Sequence, residues 1–406
     1  MNQTSCDILI IGGGIIGLSL ARELVHRGAE GIVVLEKEAQ LGQHASGRNS
    51  GVLHSGIYYT EHTLMARFCA EGNAKMKTFC RENKLTLNEN GKVIVTRTPE
   101  EIPVLQELKQ RADKNQVPCE VIDEEMLRDI EPYAQTIDTA LYSPNTAVIQ
   151  PKEILSAIAE EIIASGSVDL QLDNHFMELE GDHVARTSKG SIRFTSFINA
   201  AGMYADRIAH QFEICKQYRI LPFKGTYKRL RSQKSHLVHG NIYPVPDLRN
   251  PFLGVHLTRG ADGIIYIGPT AIPALGREHY GILRGIDLEA LAILMRDAIL
   301  FFADPGFRNV ALSEPAKWLN SVVLSEARKL VPNLRDSDIQ DAAKVGLRAQ
   351  LVNTSEKCLV TDFLIVKEGP SLHILNAISP AFTSSMAFAE YAVSEFMDEN
   401  GKTFYP

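Results

Sequence analysis

The chain carries only six cysteines in 406 residues, and its apolar runs are short. Cys6, Cys69, Cys80, Cys119, Cys215 and Cys358 are scattered and form no C-x-x-C pair. Neither a metal site nor a disulfide framework is therefore expected, and a reducing compartment is favoured. The most apolar segment, Leu288–Phe302, is broken by Arg296 and Asp297 and is too short to span a bilayer. A strand-like run begins by Cys6, which leaves no room for a leader peptide, so the expected location is cytoplasmic. The net charge of −7 argues against nucleic acid or anionic lipid as the main partner. Repeats and low-complexity linkers are missing too. What remains is ordinary globular composition, 45% apolar and 22% charged, in a chain long enough for two domains.

The first landmark is CDILIIGGGIIGLSLARELVHRG. The apolar run Ile8–Ile11 reads as a buried parallel strand, and Gly12-x-Gly14-x-x-Gly17 follows it directly. Glycine spacing alone is a weak signal, because a glycine-rich turn needs no ligand. Here a helical pattern (Ile16, Leu20, Leu24) opens at Ile15, and a second strand, Ile32–Leu35, ends in Glu36 and Lys37. That context makes a dinucleotide site: pyrophosphate on the helix N-terminus, and ribose hydroxyls on the acid. Glu36 would repel a phosphorylated ribose.

Both NAD and FAD use this fingerprint. After Glu36 the strand–helix alternation breaks, and the loop HASGRNSGVLHSGIYY arrives instead. Two further strand ends appear much later. Phe194–Ile198 leads into Asn199, Ala200, Ala201 and Gly202, and LHILN leads through Ser379-Pro380-Ala381-Phe382 into a helix read as starting near Thr383. A helix N-terminus there would favour a reduced, anionic isoalloxazine. Three such ends converging on one extended ligand fit FAD better than NAD.

These motifs resemble the D-amino-acid-oxidase-type flavoproteins, the superfamily of glycine oxidase, sarcosine oxidase and glycerol-3-phosphate dehydrogenase. Within it, HASGRNSGVLHSGIYY, GKVIV, IYPVPDLRNPFLGVHLTR, GPTA…GREHYG and NAISPAFTSS are similar to the L-2-hydroxyglutarate dehydrogenase/oxidase family over nearly the whole chain. Ala45, Arg48 and Ile378 depart from that pattern, where bulkier polar residues, a histidine and a proline are expected.

The resemblance implies FAD-dependent oxidation of L-2-hydroxyglutarate to 2-oxoglutarate, by hydride transfer to flavin N5. Ser46, Asn49, Ser50 and Gly51 would line the pyrophosphate and the ring edge. His44 is read as a polar contact in preference to a covalent flavin link. An alcohol needs a base as hydride leaves, and His54 and His256 are the two candidates, with no ground for choosing between them. Two carboxylates need cationic donors. Arg348 is assigned to one of them, and Lys224, Arg259 and Arg277 compete for the other. Tyr58 and Tyr280 are further substrate contacts. An amine or amino-acid oxidase, a glycerol-3-phosphate dehydrogenase and a flavoprotein redox sensor without turnover are the competing readings.

The expected fold class is α/β, α+β overall: a discontinuous Rossmann-like FAD-binding domain (residues 1–84, 146–214 and 336–406) and a substrate domain (85–145 and 215–335) built on a mostly antiparallel sheet. Electrons would pass to a membrane quinone or to oxygen. The helical stretch Asp287–Phe302 would pack on its own domain or lie peripherally on the inner face of a membrane.

Overall fold

The computed structural model describes residues 3–248, 254–314 and 319–398, so part of the IYPVPDLRNPFLGVHLTR block, residues 249–253, lies outside them. Its first sheet has eight strands. Gln3–Ile11 runs at its centre, parallel to Ile32–Leu35 on one side and to Gly190–Asn199 on the other. The apolar run that suggested this strand is buried on both faces, as a central parallel strand requires. Ile10 faces the helices Ile15–His26, Pro151–Ala164 and Ala381–Met397. Leu9 and Ile11 face Phe194 and Phe197. The far half of Gly190–Asn199 pairs in parallel with Ser371–Asn376, which brings the chain's C-terminal segment beside its N-terminal one.

All four of these parallel strands end at one edge of the sheet, at Gly12, Glu36, Ala200 and Ala377. Ligands of open α/β sheets bind at such an edge. The helix Leu64–Glu82 covers the same region and packs on Ala381–Met397 through Phe68, whose ring meets Phe388 and Phe363 edge-on at 5.9 and 5.7 Å.

The second sheet has ten strands, antiparallel except where Asn241–Pro244 runs parallel to Lys92–Val95. Val93, Val95, Ile242, Leu257 and Ile267 turn one face onto the helix Asn320–Arg328. By the alternation of a strand, Lys92, Ile94 and His256 point the other way, where Ile94 joins Tyr243 and Ile57 in a separate cluster. Residues expected in the FAD-binding domain also belong to this sheet. Ile339–Asn353 pairs with Tyr218–Leu230 from Asn353↔Tyr218 to Ile339↔Leu230, so the boundary expected at 336 moves to beyond Leu359. The long antiparallel register, invisible in either segment alone, is the reason. At the other boundary, Leu87–Asn88 joins Val52–Leu53 and Ala147–Ile149 in a small third sheet.

The two helices over the site meet at Gly72. A Cβ there would stand 2.3 Å from the Thr383 carbonyl oxygen and 2.7 Å from Ser384 Cα, both backbone atoms. Gly72→Ala should therefore force the helices apart, destabilise the protein by about 1–3 kcal/mol and loosen the bound cofactor. Denaturant unfolding of the yellow protein tests this, and an unchanged midpoint would refute the close approach.

Candidate active site

A single cavity of about 1320 Å³ runs from the carboxyl edge of the first sheet to the inner face of the second. Its nucleotide end is built from backbone. Gly12 turns the chain at φ +114°, and a Cβ there would lie 2.4 Å from the Ala200 carbonyl oxygen, so only glycine closes this turn. The helix Ile15–His26 then starts with Gly14 as its N-cap and without a side-chain cap, its N-terminus turned to the cavity. Ser46 Oγ accepts from the Ile15 amide at 2.9 Å. Glu36 is held by the amides of Gly13 and Glu38, both at 3.0 Å, and lines the cavity. Ala201 and Gly202 form the opposite wall below buried Asn199, whose amide nitrogen donates to the Ala205 carbonyl at 2.8 Å.

The loop after Glu36 folds over this end. Asn49 donates to the Ser46 carbonyl at 2.8 Å and accepts from Gly51 N at 2.8 Å, and both Asn49 and Ser50 line the cavity. Gly17 and Gly51 do not reach the lumen. Gly17 packs the helix onto Gly12, and Gly51, at φ +79°, offers its carbonyl to the Ile149 amide. Lys37 is clamped between Glu38 and Glu278. His44 has both ring nitrogens engaged: Nε2 donates to the Glu38 carboxylate at 2.8 Å, which leaves Nδ1 to accept from the Tyr280 hydroxyl at 2.8 Å. Tyr280, expected as a substrate contact, lines the cavity with its hydroxyl engaged by this bond. Its hydroxyl goes to His44 and its ring lies under the Arg48 guanidinium at 4.4 Å, so it serves the nucleotide loop and not the histidine pair.

At the other end, Ser379, Pro380, Ala381, Phe382 and Thr383 line the cavity at the start of Ala381–Met397, a helix that begins two residues before Thr383. Thr383 Oγ1 accepts from the His54 amide at 3.1 Å and fixes the loop carrying that histidine. The His54 ring has an Nδ1 that is buried and finds no partner among the described residues. Burial lowers its pKa to about 3, helped by the charges of Lys92 and His256. His256 Nδ1 donates to the Gly254 carbonyl at 2.8 Å, and its ring stacks on Tyr243 with centroids 3.9 Å apart. Burial lowers its pKa to about 4, against the carbonyl bond that favours the proton.

Two cations line the same cavity from neighbouring strands. Arg348 donates Nε to Gln350 at 3.2 Å, and burial lowers its pKa to about 10. Lys224, whose pKa burial also lowers, donates to the Gly281 carbonyl at 2.8 Å. Tyr58 lines the cavity with its hydroxyl buried and without a partner among the described residues. Arg277 is corrected: it is 2% exposed, does not line the cavity, and is consumed by Asp206 at 2.6 and 3.0 Å and Glu289 at 2.8 Å. Arg259 is likewise spent on the Ser235 and Val238 carbonyls. Tyr243 and Lys92 went unread in the sequence. Only the placement of a lysine at the head of the apolar run Val93-Ile94-Val95 hinted at the second.

The site fits FAD: a glycine turn with no room for a side chain, a helix N-terminus turned to the cavity, an acid at the second strand end, and a lumen that continues past Pro380 to two histidines. Comparison with known proteins agrees. The chain is 35% identical over 417 residues to the L-2-hydroxyglutarate dehydrogenase, mitochondrial, of Homo sapiens, covering 97% of this chain and 89% of that protein. It is 35% identical over 404 residues to the L-2-hydroxyglutarate dehydrogenase of Salmonella houtenae, covering 96% and 92%. The fold is that of the L-alpha-glycerophosphate oxidase of Mycoplasma pneumoniae, solved with FAD bound, at TM-score 0.77, 22% identity and full coverage of both chains. Glycine oxidase of Geobacillus kaustophilus shares it at TM-score 0.72 and 16% identity, over 99% of this chain and 97% of that one. Residues 7–395 match the family described as DAO, FAD dependent oxidoreductase, and the chain is a member of that family of enzymes.

Proposed function

We propose that this enzyme oxidises L-2-hydroxyglutarate to 2-oxoglutarate, with His256 as the base. Kinship supports the substrate, and one observation supports the base. The Nδ1–H of His256 is committed to the Gly254 carbonyl, which leaves Nε2 with its lone pair in a cavity shared with Arg348. FAD, held by the Gly12 turn, Glu36 and the start of the helix Ala381–Met397, would supply the two-electron oxidant that accepts the C2 hydride. His256 Nε2 takes the hydroxyl proton as the C2–H bond breaks and the carbonyl forms. Arg348 holds one carboxylate and Lys224 the other, from adjacent strands, while Tyr58 and His54 close the wall. The engagement of both His44 nitrogens favours a non-covalent flavin.

The electrons then pass to a quinone or to oxygen. Ile293 and Leu300 pack the helix Ala290–Ala303 on its own domain, beside Leu221 and Phe223. On that helix and just before it, Leu288, Leu291, Met295, Ile299 and Phe302 are exposed. This outer face supports peripheral attachment to the inner face of a membrane. No helix among the described residues is long and apolar enough to cross one.

Anaerobic mixing of the yellow protein with L-2-hydroxyglutarate, D-2-hydroxyglutarate, glycine, sarcosine and glycerol 3-phosphate tests the substrate. Bleaching by L-2-hydroxyglutarate alone is expected, and bleaching by an amine or the phosphate instead would overturn the reading. His256→Gln should retain FAD and slow that bleaching by about 10² or more. Because the base works only when neutral, and its pKa in the empty site is lowered to about 4, the second-order rate constant for reduction at low substrate should show no acid-side decline until below about pH 5. A decline centred near 6.5, as for an ordinary histidine, would remove His256 from the role. Glu36→Ala removes the acceptor that holds the turn and faces the ribose, so FAD affinity should drop about tenfold or more while the loaded fraction bleaches normally. Unchanged cofactor occupancy after dialysis would refute that assignment.

A further inference from the structure

Lys92 is 1% exposed, and its ammonium has no hydrogen-bond partner and no ion pair among the described residues. It stands 4.4 Å from the centroid of the Tyr58 ring and 5.2 Å from that of Tyr243, and both rings line the cavity while Lys92 itself does not. Tyr243 in turn stacks on His256. An ammonium out of water is costly unless an opposite charge compensates it. Among the described residues no carboxylate acts on its charge: the acidic groups beside it are the thiols of Cys69 and Cys119, which burial keeps protonated. Ring faces offset only part of that cost.

We propose that Lys92 is a specificity-determining residue, acting through the Tyr58–Tyr243 wall, whose counter-ion is the dicarboxylate substrate itself. The inference rests on the dicarboxylate reading above. It explains why a lysine is kept in a dry wall: burial disfavours its ammonium, which has no counter-ion among the described residues, until an anion enters the neighbouring lumen. A neutral or singly charged molecule compensates that charge less, so the wall selects for charge without touching the ligand.

The signature is a proton. Burial lowers the Lys92 pKa to about 7, so at pH 8 the empty site holds mostly the neutral amine. Anion binding stabilises the ammonium and draws a proton from solvent. The facing groups do not compete for it. From the loop and from the strand His256–Arg259, His54 and His256 stay neutral, with pKa values lowered to about 3 and 4. From the strand Asn241–Pro244, Tyr243 is raised to about 12, and burial pushes Tyr58 well up. From the helix Leu64–Glu82 and from the turn before Glu120–Asp123, the Cys69 and Cys119 thiols are raised to about 12 and 11. Ser143, opposite Lys92 on the remaining neighbour strand, does not titrate. Arg348, lowered to about 10, remains charged.

The experiment is calorimetry of glutarate, a non-reacting dicarboxylate, binding to the FAD-loaded protein in buffers of different ionisation enthalpy. Wild type should take up close to one proton at pH 8, and a small fraction of one at pH 6.5. Lys92→Met, with Lys92→Gln as a second neutral variant, should bind glutarate about tenfold more weakly and take up none. Uptake that persists in either variant, or is missing from wild type, overturns the role of Lys92. Failure of the substrate reading shows separately, as wild type that binds glutarate with proton uptake yet does not bleach with L-2-hydroxyglutarate.

Discussion

Desolvation at the junction of the two sheets is what the chemistry depends on. His54, His256, Lys92 and Arg348 have their pKa values lowered, and burial is the largest cause in each case. The effect is useful because it acts in opposite ways on the roles required. It keeps both histidines neutral at neutral pH, the state that the proposed base requires. It leaves Arg348 protonated, because a guanidinium lowered to about 10 still holds its charge. Low local dielectric also strengthens any attraction between these cations and an entering anion.

Keeping that junction dry requires the first sheet to hold its ligand edge in place while the second covers it. Gln3–Ile11 does this by pairing on both sides, so that the turn at Gly12 meets Ala200 from a strand nearly 190 residues later. The C-terminal helix completes the arrangement. Its first turn both lines the cavity and, through Thr383, holds the backbone of His54. One side chain therefore couples the cavity wall proposed for the flavin to a candidate substrate contact, and Gly72 packs closely on that turn.

What could be read in the sequence was local. The strand–glycine–helix unit and Glu36 follow from spacing within 36 residues, and the loop HASGRNSGVLHSGIYY reads as a ligand contact because nothing else suits its composition. What could not be read depends on register between distant strands. Ile339–Asn353 is half-exposed along most of its first half and looks like part of the C-terminal unit, until its pairing with Tyr218–Leu230 assigns it to the other sheet. Arg277 and Tyr280 sit in a motif that marks the family, yet their partners, Asp206 and His44, come from elsewhere in the chain. No spacing rule reports where a side chain's counter-ion will be.

That point separates the two most buried cations. Arg277, at 2% exposure, meets two carboxylates with bidentate geometry toward Asp206, and its charge is spent inside the fold. Lys92, at 1%, lies against the Tyr58 and Tyr243 rings and has no carboxylate partner among the described residues. Burial is the same, and the balance of charge is opposite. A neutralised pair contributes rigidity at the domain junction, and its loss would leave Asp206 as an uncompensated buried acid. On the proposed reading, a buried lysine whose pKa is lowered costs the empty protein folding free energy, and an anionic ligand that restores its proton returns part of that on binding.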